Sequence, residues 1–320
     1  VSVPTPWVRC FRRRPAASTI LLCFPHAGGA ASAYRDWPAH LPADVELWAV
    51  QYPGREDRIA EPLIDTMAEL VDAVVKAVEP ALDRPVVVFG HSMGASVAHE
   101  FTLRLRPGVA RRLVVSARPG PADQRPRADL VHLRDEAGVR AELDLLGGGG
   151  AAAMADPQLR DLLLPMIGND FALIERYRPG PAVLGVDVLA HVGADDPSMP
   201  PESADSWAAA TTGSFTRHTH PGGHFYLADR LADVIATLGG STPEVNHMSE
   251  AFTVEGLREA VAEVLGVSPD PDANLFELGL DSMRMMMLSV RWQAHGVEVP
   301  FADLAEQPTL SAWSKLLTAG

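Results

Sequence analysis

Short strand-like runs, each closed by Gly, Pro, Asp or a polar residue, recur along the first two thirds of the chain. They predict strands over Thr19 to Phe24, Val45 to Gln51, Val86 to Phe89, Leu113 to Ser116, Val186 to Val192 and Ser214 to Thr219. Between them apolar residues recur at intervals of three and four, the spacing that gives a helix one buried face. That pattern predicts helices over Met67 to Val78, Ala95 to Leu105 and Leu227 to Leu238. Strands that are apolar almost throughout, alternating with helices, predict a mainly parallel, doubly wound α/β sheet covered on both faces.

Two stretches break the alternation. Pro119 to Pro181 follows the fourth predicted strand and contains two helical patterns, Leu130 to Leu146 and Gln158 to Arg176, separated by Gly147 to Gly150. An insertion of that length between strands is expected to form a helical lid, about 119–181, over whatever site the sheet carries. At Gly239 the pattern changes to a run of Gly, Ser, Thr, Pro and Asn that cannot continue a helix. Residues 1–240 are therefore read as one α/β domain, 241–249 as a linker and 250–320 as a second domain. The second domain is helical only, with helices over Val254 to Leu265, Ser282 to Ala294, Phe301 to Ala305 and Leu310 to Leu317. His247-Met248, just before it, looks like a cloning junction, so the tandem is read either as natural or as a deliberate fusion made to hold a transient complex together.

With 47% apolar and 21% charged residues the chain has the means to bury a core. Its formal net charge is −14, and eleven acidic against four basic residues after 249 place half of that excess in the tail. Such a balance argues against a nucleic-acid partner, which requires a basic surface. No apolar run reaches the roughly 18 residues of a membrane span, and the first residues lack the apolar core of a signal peptide, so no membrane partner and a cytoplasmic location are expected. The two cysteines, Cys10 and Cys23, are read as unpaired, the second as a buried small hydrophobe.

The sharpest chemical signal is Gly90-His91-Ser92-Met93-Gly94, set between a predicted strand and a predicted helix. The string alone is weak. In a strand-turn-helix setting it is a nucleophile elbow, whose glycines let the backbone turn sharply and expose the serine hydroxyl. A serine needs a base, and the base needs an orienting acid, in the chain order serine, acid, histidine for an α/β-hydrolase fold. His224, in the loop Gly222-Gly223-His224 before the last helix, is the expected base; His218 and His220 fall within the preceding strand. The acid is expected to be Asp196, with Asp195 its neighbouring alternative, in Gly193-Ala194-Asp195-Asp196-Pro197. The oxyanion would be met by the backbone N–H groups of Met93 and of Ala27, the latter in Phe24-Pro25-His26-Ala27-Gly28-Gly29. The same glycines could instead cradle a phosphate, but neither a GxGxxG string nor a P-loop lysine accompanies them. No metal site is read from the sequence.

Together, CFPHAGG at Cys23 to Gly29, QYPGRE at Gln51 to Glu56, GHSMGA at Gly90 to Ala95, GADDP at Gly193 to Pro197 and GGHFYL at Gly222 to Leu227 resemble the type II thioesterases of nonribosomal peptide and polyketide assembly lines. The resemblance covers roughly residues 6 to 238. It implies hydrolysis of stalled or wrong acyl groups from carrier-bound phosphopantetheine. The sequence departs from that family at Leu164 to Asp170, where an arginine is expected near Gly168; the departure bears on lid contacts and substrate preference, not on the chemistry.

In the tail, Leu278-Gly279-Leu280-Asp281-Ser282-Met283 precedes a helix. Asp and Ser are ordinary first-turn residues, and Met283, Met285, Met286 and Met287 could simply pack a core. A helix N-terminus would nonetheless suit a phosphodiester on Ser282. The stretches LFELGLDSMRMM at Leu275 to Met286, RW at Arg291 and Trp292, and FADLAEQPTLSAWSKLL at Phe301 to Leu317 resemble acyl carrier proteins, and among them the aryl carrier domains of siderophore synthetases. The resemblance implies a small four-helix carrier bundle and a 4'-phosphopantetheine arm on Ser282, installed by a phosphopantetheinyl transferase. It also implies acyl-loaded carrier proteins, in cis or in trans, and other synthetase domains as partners. Two rivals remain open: acyl transfer, cyclisation or chain release by the same serine, and a non-catalytic carrier or docking unit.

Overall fold

The computed structural model describes residues 5–125, 129–147, 154, 156–238, 254–280, 284–285, 288, 304 and 307–318. The chain divides into two compact units, Val1–Gly239 and Gly240–Gly320.

In the first unit the described strands are β1 (Val8–Arg9), β2 (Thr19–Phe24), β3 (Val45–Val50), β4 (Val86–His91), β5 (Ala110–Ser116), β6 (Asp187–Gly193) and β7 (Phe215–His220). They form one sheet in the order β1-β3-β2-β4-β5-β6-β7. All neighbours pair in parallel except β1, which runs antiparallel to β3 with Val8 opposite Val50. From β2 the chain goes first to β3 on one side and then returns to β4 on the other. This reversal leaves a crevice at the carboxyl ends of β2 and β4, where ligands bind in open α/β sheets. β1 is only two residues long and carries no periodicity that sequence reasoning could use.

Helix α1 (Met67–Val78) coincides with the predicted span. Its start is fixed by an N-cap: Thr66 Oγ1 accepts from the Glu69 N–H at 3.3 Å, and the Thr66 hydroxyl donates to the Glu69 carboxylate at 3.0 Å. Its stripe of Leu70, Val71, Val74 and Val78 is buried against the sheet. Helix α2 (Met93–Arg104) begins two residues before the predicted start, and β4 runs on to His91. The turn between them is thereby reduced to Ser92 alone.

The insertion after β5 holds α3 (Glu136–Leu146) and α4 (Pro157–Arg176). The predicted single helix from Leu130 is instead a one-turn 3-10 segment, Val131–Leu133, followed by α3. Asp135 interrupts it by capping α3, accepting from the Gly138 N–H at 2.9 Å. Val131, Val139, Leu143, Met166, Ile167 and Phe171 bury one another in a small core of their own. Beyond β7, α5 (Leu227–Leu238) completes the unit. The sheet is buried on both faces. One layer packs around Val71, Val88, Phe101 and Trp207, the other around Tyr34, Trp37, Phe89 and Val234.

The second unit contains α6 (Val254–Leu265) and α7 (Leu310–Thr318), in agreement with the predicted spans. Leu257, Val261, Leu275, Leu280, Met285, Leu288, Leu304, Leu310 and Trp313 form its core. The Trp313 indole N–H satisfies itself on Leu304 O at 2.9 Å. The helices predicted over Ser282 to Ala294 and Phe301 to Ala305 lie largely outside the described residues; of these, residues 284, 285, 288 and 304 are helical. Ser282 itself lies outside them.

Candidate active site

Ser92 occupies the single-residue turn with φ 54° and ψ −120°, a conformation that an L-residue holds only when its surroundings impose it. The flanking glycines explain how they do. A Cβ on Gly90 would lie 2.1 Å from Gly94 O, and one on Gly94 would lie 2.1 Å from Phe24 O. Strand, helix and the loop after β2 therefore approach to a distance that only glycine permits. The Ser92 N–H donates to Ser116 O at 2.8 Å, which pins the turn to the end of β5.

Two further strand ends deliver the other groups. His224, in the loop after β7, places Nε2 2.9 Å from Ser92 Oγ and Nδ1 2.8 Å from Oδ2 of Asp196, in the loop after β6. A carboxylate can only accept, so Nδ1 carries the proton and Nε2 is free to take one from the serine. Asp196 and His224 are both buried. Asp195 is exposed, and its backbone N–H ties the β6 loop to Gly222 O at 2.9 Å. His218 is exposed, and His220 turns away to meet His191 Nδ1 at 2.9 Å.

Burial by itself would raise the Asp196 carboxyl. Hydrogen bonds from His224 and from Ser198 outweigh it and hold the group below the usual aspartate range. The Ser198 hydroxyl donates to Asp196 Oδ1 at 2.6 Å and lies 3.1 Å from His224 Nδ1, and its backbone N–H donates to the same Oδ1 at 2.8 Å. Two more imidazoles crowd His224. His91 is pushed well below its ordinary value, and His26 is pushed down to about 4, in both cases chiefly by burial, with the neighbouring His224 adding to it. Neither competes for a proton at neutral pH.

Ala27 and Met93 stand beside Ser92 in the wall of a cleft of about 260 Å³. Leu146, Phe171 and Ile174 of the insertion line the same cleft as Ser92. The cleft also holds Arg118, whose Nε donates to Ser96 Oγ at 3.1 Å and whose Nη2 donates to Gln124 Oε1 at 3.2 Å. Desolvation lowers this guanidinium to about 10. Among the described residues no group of three metal-binding side chains assembles. No helix of the described residues is long and apolar enough to cross a membrane. Cys10 and Cys23 are both free thiols.

Sequence reasoning missed Ser198, which carries no motif, and a buried network formed by Gln51, Arg55 and Asp170. Asp170 had left a signal. It falls on the apolar stripe of α4 with Ile167, Phe171 and Ile174, and a carboxylate on a buried stripe implies a cationic partner.

Residues 19–242 match the thioesterase domain family, and residues 255–317 match the phosphopantetheine attachment site family. Over 230 residues the chain is 38% identical to the probable cadicidin biosynthesis thioesterase of Streptomyces griseus, a match covering 70% of this chain and 63% of that protein. Over 242 residues it is 37% identical to phenyloxazoline synthase MbtB of Mycobacterium tuberculosis, covering 73% of this chain and 16% of that protein. The chain thus spans less than two thirds of the length of both. Among solved structures, the type II thioesterase BorB of the borrelidin biosynthetic cluster superposes with a TM-score of 0.66 at 37% identity, covering 72% of this chain and 95% of BorB.

Proposed function

The chain belongs to the thioesterase family and carries a phosphopantetheine attachment domain behind it, and from that premise we propose that it hydrolyses acyl thioesters presented on phosphopantetheine arms. The observation that carries this reading is the continuous chain of hydrogen bonds from Ser92 Oγ through His224 to Asp196, at 2.9 and 2.8 Å, opening on a cleft that can take an acyl group.

Ser92 Oγ attacks the thioester carbonyl carbon while its proton passes to His224 Nε2, and Asp196 stabilises the imidazolium that results. The negative charge that develops on the carbonyl oxygen is met by the N–H groups of Ala27 and Met93. As the tetrahedral adduct collapses, the carbon–sulfur bond breaks and the sulfur takes the proton from His224, which leaves an ester on Ser92. Water then attacks that ester with His224 again as base, the carbon–oxygen bond to Ser92 breaks, and Ser92 regains its proton. The products are a carboxylic acid and a free thiol, and one water is consumed.

We assign the attachment point of the tail's own arm to Ser282. The described residues next to it suit that role. Leu280 N–H closes the preceding loop on Leu275 O at 2.9 Å, and Gly279 (φ 98°) turns the chain. Leu280 and Met285, which flank residue 282 in the sequence, are both buried. When bound, the arm supplies the thiol that holds the acyl group. Its installation requires a phosphopantetheinyl transferase, and its traffic requires other synthetase domains and acyl-loaded carriers, met in cis or in trans. The sequence resemblance to aryl carrier domains favours aryl or aminoacyl groups and siderophore-type assembly. This reading places the protein in the cytoplasm, in keeping with two unpaired cysteines.

The experiment is hydrolysis of acyl-loaded carrier by the full chain and by Ser92→Ala. Turnover by the first and none by the second is expected, together with labelling of Ser92 by a fluorophosphonate in the first only. Retained turnover in Ser92→Ala removes the assignment. A product ester or amide in place of the free acid would favour acyl transfer.

A further inference from the structure

Ala27 contributes its N–H from a turn closed by one hydrogen bond of its own and held by side chains from elsewhere. Gly29 N–H donates to His26 O at 2.9 Å, and Gly28, at φ 76°, takes the position of a type II turn that needs a left-handed residue. His26 C=O and Ala27 N–H belong to one peptide plane and point opposite ways, so fixing the first fixes the aim of the second. Besides that bond, three backbone groups of the turn and the loop after it are satisfied by buried side chains from elsewhere. Gly28 N–H donates to Asp170 Oδ2 at 2.8 Å, Gly29 O accepts from Arg55 Nη1 at 2.8 Å, and Ala31 N–H donates to Gln51 Oε1 at 2.8 Å. Arg55 in turn grips Asp170 with both arms of its fork, at 2.7 and 2.8 Å. The pair is 4% and 2% exposed, so water does not substitute for it.

Asp170 lies on lid helix α4, one turn beyond Ile167. The side chain of Ile167 packs so close to Gly28 that a Cβ there would come within 3.0 Å. The next residue back from Asp170 is also tied down: Asn169 Nδ2 donates to Ile64 O at 2.9 Å. We infer that Asp170 and Arg55 are positioning residues that aim the Ala27 N–H, so that the seating of the lid helix and the assembly of the oxyanion hole are a single event. An open lid takes Asp170 away from Gly28, and the turn then has no partner for that N–H. The esterase chemistry is thereby held back until the lid is seated. This inference rests on the catalytic reading given above.

The test uses the full chain with a small acyl thioester of N-acetylcysteamine, which needs no carrier docking. Asp170→Asn removes the charge that holds Arg55, and Arg55→Lys keeps the charge but loses the fork. An oxyanion donor acts on the transition state and not on bound substrate, so kcat is expected to fall about 10- to 100-fold with KM within about threefold of wild type. Fluorophosphonate labelling of Ser92 is expected to slow in parallel. A folded variant with kcat within threefold of wild type, or a loss carried wholly by KM, overturns the inference. Should neither variant fold, amide exchange on the wild-type chain decides: Gly28 and Gly29 are expected to open together with residues 167–172, and independent opening overturns it. Failure of the catalytic reading would appear elsewhere, as an inactive wild type or an active Ser92→Ala.

Discussion

Replacing Gly90 by alanine is the most direct test of how the elbow is built. The added methyl would sit 2.1 Å from Gly94 O, 2.4 Å from Gly94 C and 2.6 Å from Ala95 N, all backbone atoms of the first turn of α2. Ordinary contact begins near 3.4 Å, so β4 and α2 must part by roughly 1.3 Å at this point. No side-chain rotation can absorb that. Overpacking of this kind costs about 1–3 kcal/mol, which for a unit of this size lowers Tm by on the order of 5 °C. The catalytic cost is larger, because a displacement of about 1 Å between reacting groups is worth about 100-fold in rate. Gly168 is the control. It lies inside α4 with nothing within 4 Å of an added Cβ, so Gly168→Ala is expected to raise stability by about 0.5–1 kcal/mol without loss of turnover. Thermal unfolding and steady-state hydrolysis of a small thioester read both. A Gly90→Ala chain with wild-type kcat and Tm would refute the claim that close backbone approach sets the nucleophile.

The two neighbouring acids should separate cleanly. Asp196→Asn leaves His224 Nδ1 a partner that stabilises the wrong tautomer, and kcat is expected to fall about 10⁴-fold, whereas Asp195→Asn at the exposed site should change kcat less than about threefold; equal effects would reverse the assignment. His99 gives a pH prediction. It is 1% exposed beside Trp207, and burial drives it down to about 4. Its folded pKa lies below the unfolded value near 6.5, so the stability it contributes is fully present above about pH 6.5 and is lost as pH falls toward 4, at about 1.4 kcal/mol per unit. The buried His91 and His191 act in the same direction. Urea midpoints measured from pH 7.5 to 4.5 should fall less steeply in His99→Phe, by up to one proton, and an unchanged slope would exclude His99 as a contributor.

The central strands and most helices were legible because parallel strands buried on both faces are apolar along their length, and α1 and α5 show an uninterrupted three-four spacing. Pattern reading failed where a single polar residue overrode the spacing. Asp135 stopped what looked like one helix, and Ser92 alone made a turn for which sequence reasoning had allowed more. Ser92, Asp196 and His224, which the structure brings within hydrogen-bond distance of one another, could be named because each sits in a glycine-containing string at a strand end. Those that hold them could not. Gln51, Arg55, Asp170 and Ser198 act through partners up to 142 residues away, and no local pattern records such a meeting. QYPGRE was visible as a string, but its purpose appears only when Arg55 is seen spanning Gly29 and Asp170.

Because the reacting groups hang from the ends of separate strands, they also enter the cell at different times. Ser92 precedes His224 by 132 residues. At the usual pace of translation, about 5–20 residues per second, the serine leaves the ribosome roughly 7–26 s before its base. β7, which carries that base, is the last strand to join the sheet. On the proposed mechanism a ribosome-bound nascent chain is expected to stay silent toward thioesters until nearly all of the first unit has emerged, and the onset of hydrolysis during synthesis would time the closing of the sheet.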